Sequence, residues 1–137
     1  MLEVIVIETL NTKYVTIEYL KKLGHKTVYH STNTQKLLEF YKEFKPNILL
    51  LDLSIGIKIV LKAIKDIMSY DIFANIIIIN SGGDEDDVID SINLGAIDYI
   101  TRPFLQNELE EKLKIIFGKK TISTPNVIDN YSELSFF

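Results

Sequence analysis

Three features of the sequence predict an α/β protein built on a doubly wound parallel sheet. Five short apolar runs alternate with five stretches of helical period, in (βα)5 order. The run Asn47-Ile48-Leu49-Leu50-Leu51 is apolar throughout after its first residue, which is typical of a strand buried on both faces of a parallel sheet. Glycines and prolines stand between the two kinds of segment. Right-handed crossovers then place helices on both faces, in a three-layer sandwich.

The strands and helices follow one another along the chain with short connections. Strands are expected at residues 3–7, 26–30, 47–53, 75–80 and 97–101. Helices are expected at residues 12–23, 34–44, 57–69, 84–93 and 105–117. Each helix presents an apolar face to the sheet, and for three of them this face comprises Leu37, Leu38, Tyr41 and Phe44; Val60, Leu61, Ile64 and Met68; and Leu109, Leu113, Ile116 and Phe117.

The composition limits the classes of function. The chain has 137 residues, 47% of them hydrophobic, which suits one domain with a substantial core. No apolar run approaches the ~20 residues of a membrane span, and no basic region precedes the first strand, so we expect an intracellular, cytoplasmic protein. With no cysteine, disulfides and thiolate chemistry are excluded. The net charge of -4 argues against direct nucleic-acid binding by this domain.

The predicted domain covers residues 1–118, and residues 119–137 show no helix or strand period. We interpret this last stretch as a flexible linker or tail. The alternative is that its terminal aromatic residues, Phe136 and Phe137, dock on a partner or on the surface of the domain.

Asp52 is the most informative single residue, because its carboxylate ends the most apolar run of the chain. In parallel α/β sheets, ligands bind at the carboxyl ends of the strands, where Asp52 is expected to lie. The alternative is a structural role, in which the side chain caps the following helix or turn.

The segment Gly95-Ala-Ile-Asp-Tyr-Ile-Thr-Arg-Pro-Phe104, with Asp52 before it and Leu109-Glu-Glu-Lys-Leu113 after it, resembles the end of a bacterial response-regulator receiver domain. This CheY-like resemblance extends over residues 1 to about 118. It implies a flavodoxin-like fold with strand order 2-1-3-4-5. It also implies a signalling domain of a two-component phosphorelay, which is not an enzyme in the sense of turnover.

The resemblance assigns roles to particular residues. It implies that Asp52 accepts a phosphoryl group from a histidine kinase or phosphotransfer protein. It implies a Mg²⁺ site formed by Glu8, Asp52 and the backbone carbonyl of Ser54. It also implies that the Arg102-Pro103 bond is cis and that Tyr99 is the switch residue, although Tyr99 could equally be an ordinary core aromatic.

The sequence departs from the pattern of the family at three site positions. Thr9 stands at the second acidic position, so Mg²⁺ is expected to bind weakly. Either Asn80 or Ser81 occupies the position of the strand-4 hydroxyl residue, and the spacing allows both. Arg102 replaces a lysine, and we expect its guanidinium to pair with Asp52.

Signalling is expected through the surface formed by the fourth helix, the fifth strand and the fifth helix. We predict a preformed face including Asp90, Tyr99, Phe104 and Glu108, which would bind an effector or a second copy of the chain. The acidic run Asp84–Asp87 is interpreted as a helix cap, in preference to a metal site. The histidines His25 and His30 are expected to lie too far from Asp52 to join it.

Two other functions remain open from the sequence. One is a pseudo-receiver, a binding module that keeps the fold without being phosphorylated. The more remote one is an FMN-binding, flavodoxin-like protein, whose phosphate would lie in the loop after the first strand. That loop, Glu8-Thr-Leu-Asn-Thr12, contains no glycine, and the Glu8 carboxylate would repel a phosphate.

Overall fold

The computed structural model describes residues 1–9 and 15–117. Within them, five parallel strands form one sheet in the order β2-β1-β3-β4-β5. The strands are β1 (Glu3–Ile7), β2 (Lys26–Ser31), β3 (Ile48–Asp52), β4 (Ile76–Asn80) and β5 (Asp98–Thr101). This order and the α/β class confirm the predicted fold.

Four helices connect the strands and a fifth follows β5, and together they cover both faces of the sheet. They are α1 (Val15–Lys22), α2 (Leu37–Phe44), α3 (Ile57–Tyr70), α4 (Glu85–Leu94) and α5 (Gln106–Leu113). The core on one face is formed with α2 and α3, and the core on the other with α1 and α5. In the part of the chain that the structure describes, no helix is long and apolar enough to cross a membrane.

The central strands are buried because their residues are apolar on both faces. All five residues of β3 are buried, and Ile76, Ile77, Ile78 and Ile79 of β4 are fully inaccessible. Such strands need a helix layer on each side, which the (βα)5 order supplies. Their last residues carry the polar groups of the site, so the core places these groups at one edge.

Several predicted elements differ in detail: α2 begins at Leu37 where residue 34 was expected, and α5 ends at Leu113 where residue 117 was expected. Leu53 was expected to continue the third strand, but it begins a 3-10 helix, Leu53–Ile55. The backbone turns there because the Asp52 side chain accepts a hydrogen bond from Ser54 N. Phe117 was expected on the buried face of the last helix, but its side chain is 48% exposed.

Several predictions fall partly or wholly outside the described residues. The predicted first helix began at residue 12, within the gap at residues 10–14. The predicted tail, residues 119–137, also lies outside the described residues. The domain boundary at residue 118 therefore stays a prediction.

Candidate functional site

Four neighbouring strands end in polar residues at the carboxyl edge of the sheet. Glu8 follows β1, Asp52 ends β3, Asn80 ends β4 and Arg102 follows β5. Their order is set by the pairing of β1 with β3, β3 with β4 and β4 with β5. Residues far apart in the chain are thereby brought within hydrogen-bond distance of one another.

Asp52 is fully buried, and both of its carboxylate oxygens accept hydrogen bonds. Oδ1 accepts from Ser54 N at 2.8 Å. Oδ2 accepts from Arg102 Nη1 at 2.7 Å and from Thr9 N at 3.3 Å. Asp52 therefore caps the following 3-10 helix, as the structural alternative predicted. The same residue also lies at the centre of the polar cluster.

Arg102 connects the groups of this cluster. Its Nη1 donates to Asp52 and to Ser81 Oγ, the latter at 3.2 Å. Its Nη2 forms a short hydrogen bond with Glu8 Oε1. The predicted pairing of Arg102 with Asp52 is confirmed, and the guanidinium joins two buried carboxylates. The Arg102-Pro103 bond is cis, as the family resemblance implied.

Glu8 is fully buried and is held by residues that the sequence interpretation did not include. The Thr16 hydroxyl of α1 donates to Glu8 Oε1 at 2.9 Å. His30 Nε2 of β2 lies 3.3 Å from Glu8 Oε2. The expectation that His30 lies away from the site was wrong, because β2 pairs with β1 and places His30 opposite Val6.

His25, in contrast, lies at the other end of β2. Its Nδ1 accepts a hydrogen bond from Leu2 N at 3.1 Å. Partial burial and the nearby amino terminus lower the pKa of His25. The prediction that His25 stays apart from Asp52 agrees with this position.

Asn80 and Ser81 take different positions in the loop after β4. Asn80 Oδ1 accepts from Gly83 N at 3.0 Å and stabilises the turn toward α4. Ser81 presents its hydroxyl to Arg102. Of the two candidates, Ser81 therefore has its hydroxyl next to the guanidinium, whereas the Asn80 side chain points into the turn.

The residues of the site do not form a metal-binding set in this arrangement. In residues 1–9 and 15–117, no group of three or more histidine, aspartate or glutamate side chains is placed to share a metal ion. Arg102 bonds to both Glu8 and Asp52. Mg²⁺ requires near-octahedral oxygen ligands, and the guanidinium takes up one oxygen of each carboxylate and places a positive charge between the two. Thr9 contributes a backbone N–H and no carboxylate.

The acidic start of α4 acts as predicted. Asp84 is the N-cap, and its side chain accepts from Asp86 N at 2.9 Å. Partial desolvation and the neighbouring carboxylates of Asp84 and Asp90 raise the pKa of Asp87. These groups serve the helix terminus and do not reach Asp52.

Three of the four residues predicted for the signalling surface are exposed. Asp90, Tyr99 and Glu108 are exposed, and Tyr99 exposes 44% of its surface with Lys112 Nζ 5.4 Å from its ring centroid. Phe104 was expected on this face but is 7% exposed. It is buried because its ring packs on Tyr19 of α1, with centroids 6.1 Å apart, on the α1 and α5 side of the sheet.

A doubly wound sheet with strand order 2-1-3-4-5 is a CheY-like, flavodoxin-like fold, and here a buried aspartate ends its third strand. The chain belongs to the response regulator receiver domain family, whose model matches residues 5–114.

Known relatives agree with this assignment. The chain is 34% identical to the chemotaxis protein CheY of Thermotoga maritima over 96 residues, which cover 70% of this chain and 80% of that protein. A response regulator structure from the same organism superposes with a TM-score of 0.74 at 24% identity, covering 86% of this chain and 98% of that one.

A further solved structure shows the same fold with a metal ion. It is the receiver domain of a sensor histidine kinase from Pseudomonas aeruginosa, with magnesium coordinated in its active site cleft. The TM-score is 0.73 at 19% identity, covering 85% of this chain and 98% of that one. At this identity the likeness concerns the fold.

Proposed function

We propose that this receiver domain accepts a phosphoryl group on Asp52 from the phosphohistidine of a histidine kinase or phosphotransfer protein. The observation that carries the proposal is the position of Asp52, buried at the carboxyl edge of the sheet with a cation and two backbone N–H groups on its carboxylate. Hydrogen-bond donors in this arrangement orient the carboxylate for attack.

The transfer makes one bond and breaks one. An Asp52 oxygen attacks phosphorus, the phosphorus–nitrogen bond of the donor histidine breaks, and the electron pair and a proton remain on the imidazole. Among the described contacts, Oδ1 accepts one hydrogen bond and Oδ2 accepts two. Oδ1 therefore keeps more of its lone-pair density for the attack.

Access to Asp52 depends on Arg102. The Asp52 side chain has no exposed surface, whereas the Arg102 side chain is 18% exposed. Ser81, which also bonds to Arg102, is exposed. The Arg102 Nη1–Asp52 contact therefore has to open for the incoming phosphoryl group, and Arg102 and Ser81 can then bind the phosphoryl oxygens.

We further propose that the signal leaves through a face formed by Asp90, Tyr99 and Glu108. These residues are exposed without any change in the site. The Asn80 side chain is already bonded in its turn, so little inward movement follows phosphorylation there. Asp90 and Glu108 give the face an acidic character, which favours a basic partner surface.

Flavin binding has no comparable support. The residue at the predicted phosphate loop, Glu8, is buried and bonded to Arg102 and Thr16. A phosphate there would meet a carboxylate, which costs Coulomb energy.

The direct test is incubation with a small acyl phosphate or phosphoramidate, followed by intact mass and by mapping of the modified residue. We expect one added phosphoryl group on Asp52 and none on Asp52→Asn. Asp66→Asn is the matched control, since Asp66 is a surface partner of Lys62 and lies away from the site. Absence of modification in the wild type would favour the pseudo-receiver.

A further inference from the structure

We infer that the Arg102 guanidinium takes the place of the divalent cation, so that phosphoryl transfer to Asp52 proceeds without Mg²⁺. The inference rests on the proposed function of Asp52 as acceptor. It concerns which cation, Arg102 or Mg²⁺, neutralises the negative charge at Asp52. The inference can therefore be wrong even if Asp52 is phosphorylated.

The first support is the position of the guanidinium. One of its terminal nitrogens bonds to Asp52 and the other to Glu8. These are the two carboxylates that the resemblance to receiver domains assigns to the metal. A guanidinium is planar and offers its donors in a fixed fork, so it can bridge two acceptors, whereas a lysine ammonium is a compact point charge.

The second support is the way Glu8 is held. The Thr16 hydroxyl donates to the same Glu8 oxygen that Arg102 contacts, and Arg102 Nη2 also lies 3.4 Å from Thr16 Oγ1. His30 Nε2 faces the other Glu8 oxygen at 3.3 Å. Glu8 is thus oriented by α1 and β2 toward the guanidinium. Glu8 anchors Arg102 through Oε1, the oxygen that also accepts from Thr16.

The third support is electrostatic. Glu8 and Asp52 contribute two negative charges, and Arg102 contributes one positive charge at hydrogen-bond distance from both. Thr9 adds no charge where the family has a second acidic residue. A divalent cation entering between the carboxylates would meet the guanidinium in a buried site, where like charges repel strongly. Mg²⁺ therefore has to displace Arg102 before it can bind.

In the transfer itself, Arg102 performs the charge neutralisation. As Asp52 attacks and the bond to the leaving group breaks, the negative charge of its carboxylate passes to the phosphoryl oxygens and the leaving group. Arg102 Nη1, which contacts both Asp52 and Ser81, is placed to follow that charge. Nη2 stays bonded to Glu8, so the guanidinium remains anchored.

The test uses the full chain and the same small phosphodonor, with either excess EDTA or excess Mg²⁺. We expect the same phosphorylated fraction in both conditions by intact mass. In a parallel measurement without phosphodonor, titration of the wild type with Mg²⁺ alone should give no calorimetric binding signal and no shift in melting temperature.

Two variants supply the contrast. Arg102→Lys restores a point charge that cannot bridge both carboxylates, and Thr9→Asp restores the second acidic group. The double variant Thr9→Asp/Arg102→Lys should bind Mg²⁺ measurably and should lose phosphorylation when EDTA is added. Thr9→Asp alone should gain little, because Arg102 still occupies the carboxylates. Lys62→Ala, in an exposed pair, is the matched control.

Each outcome has a distinct meaning. Phosphorylation of the wild type that requires Mg²⁺ would overturn the inference while supporting the proposed function. No phosphorylation under either condition would overturn the proposed function. In that case, Mg²⁺ binding by the wild type, or none by the double variant, would also overturn the assignment of Arg102 as the cation of the site.

Discussion

Arg102 contacts two carboxylates and two hydroxyl groups, which come from the ends of β1, β3 and β4 and from α1. An isolated ion pair on a surface contributes little, because water screens it and two long side chains must be ordered. The two carboxylate partners of Arg102, Glu8 and Asp52, are buried, so removal of one of them leaves charge without compensation in the interior. Substitution of a single partner of Arg102 should therefore change the free energy of unfolding by a measurable amount.

Glu8→Gln should lower the stability of the domain. The substitution keeps the shape and one acceptor but removes the charge that anchors the guanidinium, and we expect a loss of about 1–3 kcal/mol in the free energy of unfolding. Urea denaturation measures it. Glu111→Gln, which alters an exposed pair with Lys114, should change stability little. Equal effects of the two substitutions would contradict the anchoring role of Glu8.

Tyr41 leads to a second prediction for a single residue, which concerns the stability of the domain at alkaline pH. Its side chain is buried, and its hydroxyl donates to Asp71 Oδ2 at 2.8 Å. Burial, followed by the hydrogen bond and the charge of Asp71, raises the pKa of Tyr41. The folded state then keeps a proton that the unfolded state loses above its ordinary pKa of about 10.

The contribution of Tyr41 to stability is therefore fully present below about pH 10 and declines as the pH rises above that value. Tyr41→Phe should cost about 1–2 kcal/mol at neutral pH through the lost hydrogen bond to a carboxylate. It should also flatten the alkaline decline measured by denaturation at a series of pH values. An unchanged alkaline slope in Tyr41→Phe would show that Tyr41 is not the group responsible.

At the scale of elements, the turn from α4 to β5 packs tightly against α3. Gly95 has φ +131°, and a Cβ there would lie 2.9 Å from Met68 Cγ. A side chain at this position is disfavoured both by the backbone conformation and by the contact. The turn sets how the chain passes from α4 into β5. It therefore helps to fix the position of Arg102, which follows β5.

Gly95→Ala should destabilise the domain by about 1 kcal/mol more than Gly24→Ala. Gly24 also has a positive φ, of +85°, but nothing lies within 4 Å of its Cβ position. Thermal or urea unfolding gives both values. A double-mutant cycle with Met68→Ala isolates the contact, and should show coupling between residues 68 and 95. If the two substitutions are additive, the contact with Met68 is not the reason that Gly95→Ala destabilises the domain.

The elements were predictable because their signals are local. Apolar runs and helical periods predicted the strands to within one or two residues, and the cap at Asp84 followed from its place before α4. Leu53 was misassigned because the apolar run continues past the point where the Asp52 side chain turns the backbone.

The positions of His30 and Phe104 could not be predicted from local patterns. The pairing of β1 with β2 contains an irregularity between Val4 and Ile5, so their partners are Thr27 and Tyr29. This shift, together with the neighbouring position of β2, sets how far His30 reaches along the edge toward Glu8. Phe104 follows the site in sequence, but after the bend at Arg102 and Pro103 its ring packs in the core against α1. Both outcomes depend on tertiary packing.

At the scale of the whole molecule, the site and the acidic face meet at β5. Arg102 follows the last residue of β5, and Tyr99 lies within it. Lys112 of α5 bonds to Asp98 and lies over the Tyr99 ring, so the face is held in place by contacts that do not involve Asp52. A partner could therefore recognise it before any phosphorylation.

Association with a partner, or with a second copy, should depend on Tyr99 more than on Asp52. Tyr99→Ala removes an exposed aromatic and should weaken binding by about 1–2 kcal/mol, while Asp52→Ala should change it little. Because the face is acidic, binding should also weaken as salt is added. Sedimentation or titration with and without phosphodonor measures these effects. Loss of binding in Asp52→Ala but not in Tyr99→Ala would instead indicate a conventional phosphorylation switch.

The central claim is that Asp52 is the phospho-acceptor of this receiver domain, and the intact mass after incubation with a phosphohistidine-bearing phosphotransfer protein tests it most directly. The account predicts one phosphoryl group on the wild type, lost from the donor at the same time, and none on Asp52→Asn. A wild type that gains no phosphoryl group from any such donor, with or without Mg²⁺, or an Asp52→Asn variant that gains as much as the wild type, would contradict it.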